Sequence, residues 1–224
     1  MTSITVAGVD FSGAKTTPND TWLVVGELTS LGLYITQVKN TGSHALMPEL
    51  MGLEELSVCG LDFPFSLPSE FLRFLTRKLG LEEDFQDWQS VAEKIVFMSW
   101  EDFLAYVEEY DLEPKRFTDK NAGRPASSPL HRVNPSMIQM TYHGMRLLAT
   151  LPPNKFSVLP FQDRVKNGCS MIEVYPREIL WLLGLPDRGY KSKEKKTREK
   201  AHLLRREIVD GILNLRESGD QHRP

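Results

Sequence analysis

Two apolar runs of strand length end in almost the same four residues, Gly8-Val9-Asp10-Phe11 and Gly60-Leu61-Asp62-Phe63. A carboxylate that closes an apolar strand must be hydrated, paired or bound to a metal, because burying it bare costs too much. In open α/β sheets, ligands bind outside the carboxyl ends of the strands. A sheet that brought these two runs together would therefore carry two acids on its ligand-binding edge.

The elements around them predict such a sheet. Residues 4–11 are apolar on both sides of their alternation, the pattern of a strand buried on both faces. Strands at 21–28 and 33–39 follow through short turns and read as an antiparallel meander. A helix over 43–53 leads to a fourth strand at 57–62. Helical periodicity then runs through 69–79, 88–98 and 100–110. Residues 111–135 have no clear period, and a connection of that length is usually functional or mobile. A helix over 136–151 is apolar round most of its circumference, and 155–161 is compatible with a short strand. A strand at 169–175 precedes Pro176, well placed to open a helix over 177–183. A last amphipathic helix spans 193–216.

This order predicts an α/β fold in one domain, residues 1–224, with a mixed five-stranded sheet, helices on both faces and a helical insertion at about 67–151. It resembles the ribonuclease H-like order, in which the first, fourth and fifth strands are parallel neighbours. Asp10, Asp62 and Glu173 each lie at or near the end of one of those strands. Carboxylates converging there make a hard oxygen site suited to Mg²⁺ or Mn²⁺. A pair of such ions can activate water and stabilise the leaving oxygen in phosphodiester cleavage. Plainer roles also fit: Asp10 and Asp62 as turn caps, and Glu173 paired with Arg177 or Lys191.

Gly8-Val9-Asp10-Phe11-Ser12-Gly13-Ala14, the stretch from Gly60 to Pro68, Glu173-Val174-Tyr175-Pro176, and Gly184-Leu185-Pro186 with Tyr190-Lys191 resemble the signature blocks of the domain-of-unknown-function 429 family. The resemblance implies a nuclease of ribonuclease H-like fold, with Asp10 and Asp62 as paired metal ligands and Glu173 as a third. That family usually ends in an Asp-Ala-x-Asp-Ala-like stretch, which has no counterpart in residues 217–224. The expected function is metal-dependent hydrolysis of phosphodiesters. The alternative is a non-catalytic module of the same fold that binds nucleic acid, a nucleotide or a protein partner.

Charge says where a polyanion could approach. The formal net charge of −3 hides eleven acids against a single Lys94 between Leu81 and Glu113, and nine Lys or Arg against three acids between Pro186 and Arg206. Residues 191–200 suit nucleic-acid backbone, and the stretch from Glu82 repels it. Lys191, Arg124, Arg132 and His143 are the candidate substrate contacts. Tyr142, His143 and Arg146 share one helical turn and form a candidate phosphate- or base-recognising wall. A solvated loop and an ordinary helix edge are the plain alternatives.

Other classes fall away. No apolar run approaches the roughly 18 residues a membrane helix needs, and no secretory pattern opens the chain. Two cysteines, Cys59 and Cys169, exclude a disulfide scaffold and a four-thiolate zinc site, and they suit a reducing cytoplasm. Walker, HExxH and GxSxG motifs are absent.

Overall fold

The alternation of small and β-branched residues in Ile4–Asp10 forms strand β1. It pairs antiparallel with β2 (Trp22–Thr29), which pairs antiparallel with β3 (Gly32–Asn40). The structure is a computed structural model describing residues 3–11, 21–81, 85, 87–132, 135–191 and 196–215. Residues 12–14 of the first signature block, the acids at 82–84 and the basic stretch at 193–195 lie outside the described residues, as does the chain beyond 215.

Helix α1 (Gly42–Gly52) carries the chain from the meander to β4 (Leu56–Leu61), which lies parallel to β1 on the side away from β2. Strand β6 (Cys169–Glu173) pairs parallel with β4, and β5 (Phe156–Leu159) closes the edge, parallel to β6. The order is β3-β2-β1-β4-β6-β5. The sheet is thus mixed and six-stranded rather than five-stranded. The extra strand is four residues long, and its apolar Phe156 and Val158 are buried.

The chain divides into two compact units, Met1–Lys120 with Ala126–Val174, and Asn121–Pro125 with Tyr175–Pro224. In the first, Val9, Leu23, Val25, Cys59, Leu61 and Met171 of the sheet pack with Leu46 and Leu50 of α1. Leu148 and Leu151, at the C-terminal end of α6 (Pro135–Thr150) and just beyond it, join the same core. Residues on the opposite face, among them Ile4, Trp22 and Val38, stay exposed. Of β1 only Val9 is buried, so the expectation of a first strand buried on both faces is not met.

A second core gathers α2 (Ser69–Lys78), α3 (Trp88–Phe97) and α4 (Trp100–Tyr110) around Ile138, Tyr142 and Met145 of α6. The two cores share α6, which explains why its apolar residues run round most of its circumference. Asp87 and Ser99 cap α3 and α4 by accepting from the backbone N–H groups of Ser90 and Asp102. A short helix, α5 (Phe117–Asn121), interrupts the segment that sequence leaves without a period.

In the second unit, α7 (Pro176–Leu182) starts with Pro176 in its first turn, as sequence predicts. Helix α8 (Arg198–Asn214) starts later than the predicted 193. Its Ile212 and the following Leu215 are exposed. Among the described residues, no helix is long and apolar enough to cross a membrane.

Candidate functional site

Register fixes the level of the three acids. Gly8 is paired with Gly60, and Gly60 with Ile172; one residue on, Val9 is level with Leu61, and Leu61 with Glu173. The ladder continues past β4: the Asp62 N–H donates to the Val9 carbonyl at 3.1 Å, and the Val174 N–H to the Leu61 carbonyl at 3.0 Å. Asp10 and Asp62 therefore stand side by side at the carboxyl ends of adjacent parallel strands. Neighbouring strands lie about 4.8 Å apart, near enough for two carboxylates to share a cation. Asp10 is exposed and Asp62 half-buried, so both reach water.

Gly8 and Gly60 precede them by two residues and so lie on the same face by alternation. A methyl group on Gly8 would meet open space. On Gly60 it would come within 3.0 Å of Val174 Cγ1. The approach beneath Asp10 is bare backbone, whereas at Gly60 the neighbouring strand's side chain takes the space.

Glu173 stands apart. It is level with Val9 and Leu61, one residue short of the aspartates, so alternation assigns it to the opposite face. There Arg116 holds it in a two-pronged ion pair, Nη1 donating to Oε2 at 2.9 Å and Nη2 to Oε1 at 2.6 Å. The Phe65 backbone N–H donates to the same Oε2 at 2.9 Å. Neither Arg177 nor Lys191 supplies these bonds.

Arg116 also donates from Nε and Nη2 to Asp119, at 3.0 and 2.7 Å. Only 9% of the Arg116 side chain and 3% of that of Asp119 is exposed. Burial by itself would lower the guanidinium pKa. The hydrogen bonds and charges of Asp119 and Glu173 outweigh it and hold Arg116 protonated above even its usual range. The Arg116 guanidinium is thus engaged by two carboxylates.

The loop after β4 is fixed from two directions. Trp88 Nε1 donates to the Phe65 carbonyl at 2.6 Å, while Glu173 holds the Phe65 N–H. Phe11, Phe63 and Phe65 form a line of ring contacts, 5.0 and 5.3 Å between centroids. The residues that follow both aspartates are therefore anchored in the core, which steadies the acids without burying them.

The candidate substrate contacts fall in both units, Arg132 and His143 in the first and Arg124 and Lys191 in the second. Arg132 is engaged locally, with Asp111 and with the Val107 carbonyl at 2.9 Å, and its backbone N–H donates to Glu113. In the second unit, Arg124 pairs with Asp187 at 3.3 Å and lies 5.1 Å over the Trp181 ring, while Arg177 shares the same aspartate at 3.3 Å. Lys191 is exposed, its ammonium 5.9 Å from the Tyr190 ring. His143 stacks on Trp100, 5.9 Å between centroids, and lines a cavity that includes Phe11. The same cavity takes in Ser43 and His44, which sequence periodicity assigns merely to a helix start. A histidine in a first turn that lacks acids was the available signal.

Both cysteines are buried free thiols on adjacent strands, with Cys59 level with Met171. Burial pushes Cys169 up to about 12, and burial together with Cys169 pushes Cys59 higher still, so neither is poised as a nucleophile or thiolate ligand. Among the described residues, no group of three His, Cys, Asp or Glu side chains is placed to hold an ion. Compared with models of known families, with curated proteins and with solved structures, the chain matches none.

Proposed function

We propose that the chain is a metal-dependent phosphodiester hydrolase built on a ribonuclease H-like scaffold, related to the domain-of-unknown-function 429 family, with nucleic acid as its substrate. The observation that carries this reading is the side-by-side placement of Asp10 and Asp62 at the ends of parallel β1 and β4. The run β3-β2-β1-β4-β6, with only β2 antiparallel to its neighbours, supports the scaffold, and β5 is then an added edge strand.

Two exposed or half-exposed carboxylates fit Mg²⁺ or Mn²⁺, since Mg²⁺ is commonly held by one or two carboxylates together with substrate phosphate and water. Asp10 and Asp62 would hold the ion. When bound, it supplies an activated water and charge stabilisation at the scissile phosphate. Glu173 is assigned a positioning role: through Arg116 and the Phe65 N–H it secures the loop that follows Asp62.

A fluorescent oligonucleotide panel (single-stranded DNA and RNA, duplex and hybrid) assayed with Mn²⁺ tests this. Wild-type protein should cleave at least one member. Asp10→Asn and Asp62→Asn should each lose at least about 100-fold, since even the outer partners of metal ligands are commonly worth 10–100-fold. Equal rates in all three proteins would remove the assignment.

The commitment of Glu173 to Arg116 favours a second reading, a non-catalytic binding module, because it leaves two carboxylates where the family pattern implies three. Oligonucleotide binding without cleavage under any divalent ion would select it.

A further inference from the structure

A cavity of about 340 Å³ opens in the first unit, lined by Phe11, Ser43, His44, His143, Arg146, Leu147 and Thr150. Its volume lies in the range of small-ligand sites. No carboxylate lies among those lining residues, although the chain as a whole is acidic. Three side chains able to carry positive charge converge there, from two elements.

Helix α1 brings its N-terminus to the cavity, with Ser43 and His44 in its first turn. No acidic residue lies in that turn, and Thr41 does not cap it, although Asn40 Oδ1 accepts from the Gly42 N–H at 3.2 Å. The positive end of the helix dipole therefore meets no anionic side chain from its own first turn. Across the cavity, α6 presents His143, Arg146 and Thr150 on consecutive turns of one face.

Arg146 is held rigidly. Its Nη1 donates to the carbonyls of Ile95 and Met98 at 3.2 and 3.1 Å, to that of Val96, and to Tyr142 Oη at 3.1 Å. All of these bonds leave from one nitrogen, and the guanidinium lies 5.3 Å over the Tyr142 ring. It reaches the cavity as a fixed cation. A fixed guanidinium facing a helix N-terminus across a cavity with no carboxylate among its described lining residues is the chemistry of phosphate recognition.

Phe11 directly follows Asp10 and, by alternation, turns to the opposite face, into the core that holds Leu46 and Leu50 of α1. We propose that the cavity is a phosphate subsite, taking a phosphate group of a nucleotide-class ligand. This anion-binding chemistry does not rest on the hydrolase reading.

The test uses the full ¹⁵N-labelled chain without divalent ions, in EDTA, titrated first with inorganic phosphate and then with uridine 5′-monophosphate, followed by NMR. Saturable shifts should appear at the Ser43 and His44 amides and the His143 ring. Thr150→Glu and His44→Glu, each placing a carboxylate on the cavity wall at an exposed position, should weaken both ligands at least about 10-fold. Their melting temperatures report that the fold is kept. Arg146→Lys, which retains charge but not the fork, should weaken binding less than Arg146→Gln.

Asp10→Asn should still bind phosphate. Shifts that never saturate, that map to α8 instead, or that survive unchanged in Thr150→Glu and His44→Glu would overturn the subsite. If the subsite binds as expected while wild-type protein cleaves nothing, the hydrolase reading falls and the subsite stands. Cleavage without cavity shifts gives the reverse.

Discussion

Arg116 decides what Glu173 can do. Its guanidinium sits between a nearly buried Asp119 and a Glu173 that is one-third exposed, and the two arms are not of equal worth. Removing the guanidinium leaves the buried Asp119 without its countercharge and with the backbone N–H of residue 116, so Arg116→Ala should cost about 3–5 kcal/mol, the usual penalty for breaking a buried ion pair from one side. Glu173→Gln keeps an oxygen for the Phe65 N–H and loses a solvent-screened ion pair, so it should cost no more than about 1 kcal/mol. Urea titration of both variants checks this ratio, and Mn²⁺ affinity in Glu173→Gln should equal that of wild type. A loss of affinity there would restore Glu173 as a ligand. The two aspartates were legible in sequence because the repeated Gly-x-Asp-Phe marks two strand ends. The partner of Glu173 was not, because Arg116 lies 57 residues away in a segment without a period.

Most helices and strands could be read from period and punctuation, and those that could not are short. Helix α5 has five residues, too few for its repeat to stand out, and the four residues of β5 fall within 155–161, read as compatible with a short strand but not counted in the five-stranded sheet. Packing between elements was also hidden. Gly144 of α6 faces Phe63, and an added methyl group would sit 2.3 Å from the ring's Cδ2. Gly144→Ala must therefore push the ring out of its line with Phe11 and Phe65, and should cost about 1–3 kcal/mol. Gly8→Ala meets nothing within 4 Å, and should leave stability unchanged or raise it by up to about 1 kcal/mol. Thermal melts of the two variants separate them. Equal destabilisation would mean that α6 does not rest on the loop after β4. The glycine repeat is visible in sequence, but which glycine is sterically required depends on the neighbour that only the fold supplies.

For the whole molecule, charge and burial set a pH window of stability with different groups at its two ends. Burial acts to raise the Glu113 pKa. His131 at 2.6 Å, the Arg132 N–H and their charges outweigh it and hold Glu113 below the ordinary carboxylate value. Glu70, bonded to its own backbone N–H in the first turn of α2 and to Ser69, is lowered as well. A carboxylate lowered in the folded state binds protons more tightly when unfolded. Its contribution is therefore complete above the unfolded value, about 4.3, and is lost as pH falls through the folded one. The thiols work in the opposite sense. Cys59 and Cys169 stay protonated in the fold while their unfolded counterparts ionise from about pH 8.5, so stability should fall above that pH by roughly 1 kcal/mol per pH unit for each thiol. Denaturant midpoints from pH 3 to 10 should show a plateau between these limits. Glu113→Gln should shallow the acid limb only. The double variant Cys59→Ala, Cys169→Ala should sit lower throughout, because it opens space in the core, yet run flat from pH 8.5 towards 10. An alkaline limb that kept its slope without the thiols would show that they are not what drives it, and that the sheet between β4 and β6 opens to solvent below the cost of global unfolding.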